Sequence, residues 1–368
     1  MSNHGEPIKL ALSEQHTALG GKMVDFAGFL MPVNYAKGIL SEHHAVRKGV
    51  GVFDVSHMGE FEVTGPKALS WVNSMVTNNA ETLGLNQVMY SGLCYPDGGF
   101  VDDLLVYRLA DKVMLVVNAS NIKKDFAWLK AHVPAEGVKL VDKSDTFSLL
   151  AVQGPKAAEL VQKFTDVKVS DIKYYWCQPG KIAGITGIVS RTGYTGELGY
   201  ELYIPVEHTM TVWNELWKHG KVMGLEPIGL GARDSLRLEM KFALYGHEID
   251  ASHNPIEAGL SWIVKLNKGD FMGRDAILKA KLETTPRVNV GFIVEGRAVP
   301  RQGMEIRCTD GVKIGITTSG IWSPTLDKGI GTGYVKVEDS AIGNEIHIMI
   351  RDRAVVAKIV ETPFVKKD

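Results

Sequence analysis

Nine residues, Gly98 to Val106, read GGFVDDLLV. Two glycines turn the backbone, and an apolar run follows that carries two adjacent carboxylates, Asp102 and Asp103. In a strand, neighbouring side chains take opposite faces. One aspartate therefore points toward whatever the sheet encloses, and the other points away. An aspartate flanked by Phe100, Val101, Leu104 and Leu105 is costly to bury without a partner or a ligand. Two readings stand: a buried functional acid, or a turn aspartate that caps the Gly-Gly bend.

Around this stretch the pattern predicts strands at 88–95, 103–109 and 113–118, then a helix capped by Ser120 and ending near His132. An internal echo frames them. VTGPKALSWV at 63–72 resembles VQGPKAAELV at 152–161. Each reads as a strand ending at glycine, a proline at the first helical position and an amphipathic helix. Strands followed by helices, without strict alternation of parallel units, predict an α+β fold with largely antiparallel sheets. At about 283 the character changes. ETTPR reads as a linker, and NVGFIV, MEIRC, KIGITTSG, IGTGYV, EIHIMI and AVVAKIV follow as short β pieces of a small sandwich or barrel. GIGTGY at 329–334 reads as a turn between two of those strands.

Several side chains stand out before any family is invoked. Asn118 ends the strand VMLVVNA, where an amide either begins a turn or offers a donor and an acceptor to a heterocycle. His57 and Met58, in FDVSHMG, either pack or face a pocket. RTGYTGELGYE at 191–201 predicts a tight, exposed loop; it suits a planar ligand as well as a plain hairpin. It is not the GxGxxG of a dinucleotide site. Arg233 lies in the first turn of a helix opening near 230, where the helix dipole opposes a cation, so Asp234 or an anionic ligand should answer it. Trp262 reads as a core residue, with ring stacking as the alternative.

The net charge of −1, without a long run of one sign, gives no electrostatic case for nucleic acid or an anionic membrane. No apolar run approaches the ~20 residues that span a bilayer. Cys94, Cys177 and Cys308 are far apart and form no CxxC pair, so neither a disulfide framework nor a thiolate zinc site is expected. His43 and His44 are adjacent and cannot share a helix face as metal ligands do. The N-terminus lacks the basic start and apolar core of a secretory signal. The expected compartment is a bacterial cytoplasm, with a processed mitochondrial form as the alternative.

Over nearly the whole chain MVDFAGF, EHHAVR, GVFDVSHMG, MYSG, GGFVDDLLVY, VVNAS, AVQGP, RTGYTGELGYE, GLGARDSLRLE, LYGHEID, FMGRDA and ITTSGIWSPTL come in one order. Together they resemble the T-protein of the glycine cleavage system, the tetrahydrofolate-dependent aminomethyltransferase. The resemblance implies a three-domain cloverleaf around a folate cavity: residues 1–50 with 145–282, residues 51–144 carrying GGFVDD, and a C-terminal β-barrel or jelly-roll-like domain over 283–368. It implies transfer of a methylene from the S-aminomethyldihydrolipoyl arm of the H-protein to tetrahydrofolate as co-substrate, with release of ammonia and no metal. It places the catalytic acid at Asp102, and folate contacts at Asn118, Tyr194, Glu201 and Arg233, with Tyr90 and Met58 as wall residues. Some relatives carry a longer tail with a tyrosine near the folate; no contact of that kind is expected after ETPFVKKD. A folate-dependent demethylase and a folate-binding relative without transferase activity are the alternatives. The intact GGFVDD argues against the first, and the absence of cysteine from RTGYTGE against the second. The folate half of an amine-oxidising flavoenzyme is a further rival, with no flavin domain to support it.

Overall fold

Antiparallel pairing dominates, as hairpins joined by short glycine turns require. The computed structural model describes residues 5–366. Strands Val88–Cys94, Phe100–Arg108, Val113–Val117, Gly59–Thr64 and Lys139–Asp142 lie in that order in a five-stranded sheet. A six-stranded sheet runs Cys177–Ile182, Ile185–Ser190, Gly199–Pro205, Phe147–Gln153, Gly51–Asp54, Glu226–Pro227. Its last pairing is parallel. Near the N-terminus Ile8–Lys9, Phe29–Pro32 and Met23–Phe26 form a three-stranded sheet. The fold is thus α+β, and it ends in a closed barrel of six strands between Arg287 and Val360, paired antiparallel throughout.

Packing divides the chain into two units. One holds the described residues up to Val72, with Ala80–Met89 and Leu104–Asp234; the other holds Asn73–Asn79, Tyr90–Asp103 and the described residues from Ser235 on. The boundary passes through strands Val88–Cys94 and Phe100–Arg108. In the first unit Val152, Leu160, Val161, Val189, Leu202 and Trp213 belong to one buried cluster, in which helices Ala157–Gln162 and Thr209–Gly220 pack on the six-stranded sheet. In the second, Phe292, Val335, Ile346 and Ile348 fill the barrel.

The echo corresponds to a shared device. Gly65 and Gly154 both have positive φ (+109° and +127°), and a Cβ on either would sit within 2.5 Å of a backbone oxygen, that of Gly137 or Gly49. Each helix begins three residues later, at Ala68 and Ala157. The proline therefore lies in the turn before the helix and is not its first residue. Ser120 is likewise not the cap: it falls inside the 3-10 turn Ala119–Asn121, and the α-helix starts at Ile122 behind Asn121. GIGTGY is not a turn. It lies within strand Lys328–Lys336, where its glycines admit close neighbours. A Cβ at Gly329 would fall 2.1 Å from the Ala298 carbonyl oxygen, and one at Gly333 would fall 2.5 Å from the Ile306 side chain. Trp262 is not core; it is 57% exposed.

Candidate active site

The second unit carries the acid pair. Gly98 takes φ +88°, the Gly98 amide bonds back to the Tyr95 oxygen, and the Gly99 amide donates to Asp97 Oδ1. Asp97 therefore caps the bend. Asp102 sits three residues further on in strand Phe100–Arg108 and is 0% exposed. The strand start is pinned by the Phe100 amide, which donates to the Asp250 oxygen at 3.0 Å and the His253 oxygen at 3.2 Å. Gly99 has to be glycine, because a Cβ there would meet the Ala251 oxygen at 1.9 Å. Asp103, on the opposite face, accepts the Tyr90 hydroxyl at 2.8 Å on Oδ2. The Tyr90 ring lies 5.7 Å from that of Trp262, tilted 34°. Exposed indole beside a half-buried tyrosine is a surface for stacking, which is the reading of Trp262 that core packing had displaced.

The first unit carries the other named residues. Glycine and a buried amide shape the loop RTGYTGELGYE. Gln153 ends strand Phe147–Gln153 and lies inside the loop, where its Nε2 donates to the Thr192 oxygen and its Oε1 accepts the Thr195 hydroxyl. A Cβ at Gly193 or Gly199 would come within 2.1 or 2.3 Å of Gln153. Arg47 clamps the outside, donating to the Thr195 oxygen and to Glu197 Oε1, an ion pair with side chains only 6% and 9% exposed. Thr192 and Thr195 are buried, so the loop is not the exposed hairpin that its glycines suggested. Arg47, in EHHAVR, carried no signal beyond its place in an ordered motif.

From this loop Tyr194 presents its ring to Arg233, whose guanidinium carbon lies 4.7 Å from the ring centroid. Arg233 stands in the first turn of helix Leu230–Glu239. A tyrosine face thus meets a cation that the helix dipole disfavours. Glu201 faces Ser190 across the antiparallel pair, and its carboxylate accepts the Thr192 hydroxyl. Burial raises the Glu201 carboxyl above the ordinary glutamate value, while the Thr192 hydrogen bond and the Arg233 charge draw it back. Asn118 and Met58 lie at neighbouring strand ends, just beyond the paired residues Val117 and Gly59. Asn118 starts the turn, its backbone oxygen accepting the Asn121 amide at 2.9 Å. Met58 is half-buried, in a turn closed by its own amide on the Val55 oxygen.

Two buried groups lie in the same unit; the first, His57, was singled out in the sequence as packing or facing a pocket, and the second, Glu60, was not. His57 is 1% exposed, edge-on to Phe26 at 5.7 Å, and among the described residues its Nδ1 has no hydrogen-bond partner. Burial, reinforced by the charge of Arg233, pushes the imidazole down to about 3, so it is neutral. Glu60 is 1% exposed, with Oε2 also lacking a partner among the described residues. Burial, with Asp142 and Glu201 adding to it, holds that carboxyl well above the ordinary range. The alternation of GEFEV gave no sign of it, since it sets the acids on the face opposite Phe61 and Val63. No group of three or more His, Cys, Asp or Glu among the described residues could hold a metal ion.

Set against known proteins, residues 12–268 match the GCVT N-terminal domain and residues 287–366 the glycine cleavage T-protein C-terminal barrel domain. The chain belongs to the glycine cleavage T-protein family. It is 52% identical over 358 residues to an aminomethyltransferase of Chloroherpeton thalassium, covering 97% of this chain and 98% of that one. It is 49% identical over 359 residues to an aminomethyltransferase of Bacteroides fragilis, covering 96% and 98%. The crystal structure of glycine cleavage system aminomethyltransferase T from Bartonella henselae superposes with a TM-score of 0.91 at 32% identity, over 97% of this chain and 98% of that one. Membership of the family makes the chain an aminomethyltransferase. Among the described residues no helix is long and apolar enough to cross a membrane.

Proposed function

We propose that the chain transfers the methylene of an S-aminomethyldihydrolipoyl group on a lipoylated H-protein to tetrahydrofolate, giving ammonia, 5,10-methylenetetrahydrofolate and the dihydrolipoyl H-protein. The observation that carries the reading is the Asp102 carboxyl, fully buried in a strand held rigidly behind a glycine turn. Such a carboxylate, away from bulk water, stabilises positive charge that develops as an amine leaves and can hold or pass on the proton. The remaining residues suit a flat, reduced heterocycle with a charged tail. Glu201 is a half-buried acceptor for ring N–H groups. Asn118 supplies a donor and an acceptor at a strand end, and Tyr194 a ring face backed by Arg233. Met58 supplies apolar surface in the first unit, and Tyr90 supplies it in the second. When bound, tetrahydrofolate supplies the nitrogen that takes up the one-carbon unit.

His57 contributes by staying neutral: it adds no cation beside Arg233. Bacterial relatives support a cytoplasmic location. The test supplies aminomethyl-loaded H-protein and tetrahydrofolate and measures ammonia and methylenetetrahydrofolate. Asp102→Asn keeps the shape and removes the charge. It should lower kcat by about 10²–10³-fold with folate affinity nearly unchanged. Turnover at the wild-type rate would refute the assignment.

A further inference from the structure

Behind Glu201 lies a set of buried hydroxyls that the transfer reaction leaves without a role. Ser190, Thr192, Tyr107 and Tyr203 are 0, 3, 0 and 1% exposed. The Tyr107 oxygen is 2.9 Å from the Tyr203 hydroxyl, 3.1 Å from Ser190 Oγ and 3.4 Å from Thr192 Oγ1. Thr192 Oγ1 in turn is 2.9 Å from Ser190 Oγ and donates to Glu201 Oε2. Four hydroxyls in a dry interior are costly unless they satisfy one another. They do so here in one connected group whose outlet is the carboxylate.

Thr192 has a single proton and three oxygens within reach, those of Glu201, Ser190 and, more distantly, Tyr107. It donates to Glu201 when that acid is ionised. When Glu201 is protonated, the acid can give its own O–H to Thr192, whose proton then turns to Ser190. Ser190 and the two tyrosines are the acceptors and donors that let Thr192 change direction without stranding a lone pair. Both tyrosines stay protonated, since burial holds their hydroxyls far above the usual phenol range.

We propose that Thr192, backed by Ser190, Tyr107 and Tyr203, is the positioning residue for Glu201: it fixes one carboxylate oxygen and keeps the other presented to an N–H donor on the edge of a reduced pterin. This rests on the reading that Glu201 binds folate. The acid's surroundings set the terms. Arg233 from helix Leu230–Glu239 favours its charge and burial opposes it, while Glu60 from strand Gly59–Thr64 is itself raised in part by Glu201. Thr192 is the hydrogen-bond donor that tips the group toward ionisation. A carboxylate that is ionised and fixed accepts from ring N–H groups; one that is protonated or turned competes as a donor.

The experiment titrates the full-length protein with tetrahydrofolate, following tryptophan fluorescence, from pH 5.5 to 8.5. Thr192→Val keeps the shape and removes the hydroxyl, Thr192→Ser restores it, Thr192→Ala serves if valine does not fold, and Glu201→Gln tests the underlying reading. Losing a hydrogen bond to a charged group should weaken binding about ten- to a hundredfold in Thr192→Val. The acid limb of binding should move to higher pH, because removing a donor to the carboxylate raises its pKa further. Thr192→Ser should return both the affinity and the limb to wild type, which a merely structural role for the threonine methyl would not do. Wild-type affinity in Glu201→Gln overturns the folate reading itself. Loss in Glu201→Gln together with wild-type affinity and an unmoved acid limb in Thr192→Val and Thr192→Ala overturns the positioning role alone.

Discussion

Glu60 is a buried acid without an ion-pair partner among the described residues, and its cost is readable in the pH dependence of stability. Its folded carboxyl sits well above the ordinary value of 4.5 because burial, Asp142 and Glu201 all disfavour the charge. A group raised on folding stabilises fully below its unfolded pKa, and that contribution is lost as pH rises toward the folded one. Wild-type stability should therefore fall from about pH 4.5 upward by up to about 1.4 kcal/mol per pH unit from this group. Glu60→Gln has no proton to exchange. Its melting temperature should match wild type near pH 4 and pull ahead by a few degrees by pH 8; parallel curves would exclude the assignment. Little of this was legible in the chain. Asp102 drew notice because two acids interrupt an apolar run, whereas Glu60 and Glu62 alternate with Phe61 and Val63 as an ordinary half-buried strand would. How deeply each acid on that shared face is buried depends on how the strand is covered, and covering is a property of partners far away in sequence. The same holds for Trp262, whose apolar neighbours in GLSWIVKL suggested a core that the fold does not build around it.

At the level of elements, periodicity carried most of the strands and helices to within a few residues, and failed where glycine was given one meaning. The helix expected to end near His132 closes at Ala131, and the one opening near 230 is Leu230–Glu239. GIGTGY was read as a turn because glycine usually punctuates. In a small closed barrel it does something else: alternate positions lose their side chains so that neighbouring strands and loops can approach. Gly329 is the tightest of its three glycines, opposite the Ala298 carbonyl oxygen at 2.1 Å from a built Cβ. Backbone cannot swing aside as a long side chain can. Gly329→Ala should cost about 1–3 kcal/mol, seen as a lower denaturant midpoint at constant slope. An unchanged midpoint would mean that the Ala298 segment yields freely. The echo was a better guide, because Gly65 and Gly154 use one backbone conformation to let a second loop close over the start of a helix.

For the whole molecule, the change of composition near 283 marks the start of the barrel strands but not the limit of what packs with them. Residues from Ser235 on belong with the barrel by packing, and a buried polar cluster explains why. Arg237, 1% exposed, donates to Glu248 Oε2 at 2.7 Å and to Ser319 Oγ at 2.8 Å. Glu248 Oε1 accepts the Thr318 and Thr332 hydroxyls at 2.9 and 2.7 Å, and its backbone oxygen accepts the Tyr334 hydroxyl. Glu239 accepts Ser323 and Thr325, and Arg287 reaches back to Glu257. No local pattern announces these bonds, since apart from Arg237–Glu248 the side-chain bonds join residues 30 or more positions apart, and a linker motif such as ETTPR reports only where the chain is exposed. Lys281 and Leu282 are exposed there, so trypsin should cut between them first. The cut chain should still elute as one species on gel filtration, because the segment 235–257 remains bonded to the barrel. Removing one partner of a buried ion pair strands the other, at about 3–5 kcal/mol. Arg237→Ala should therefore let the two tryptic pieces separate under conditions in which the wild-type pieces stay together. Separation of the wild-type pieces in native buffer would show that this cluster does not fasten the barrel.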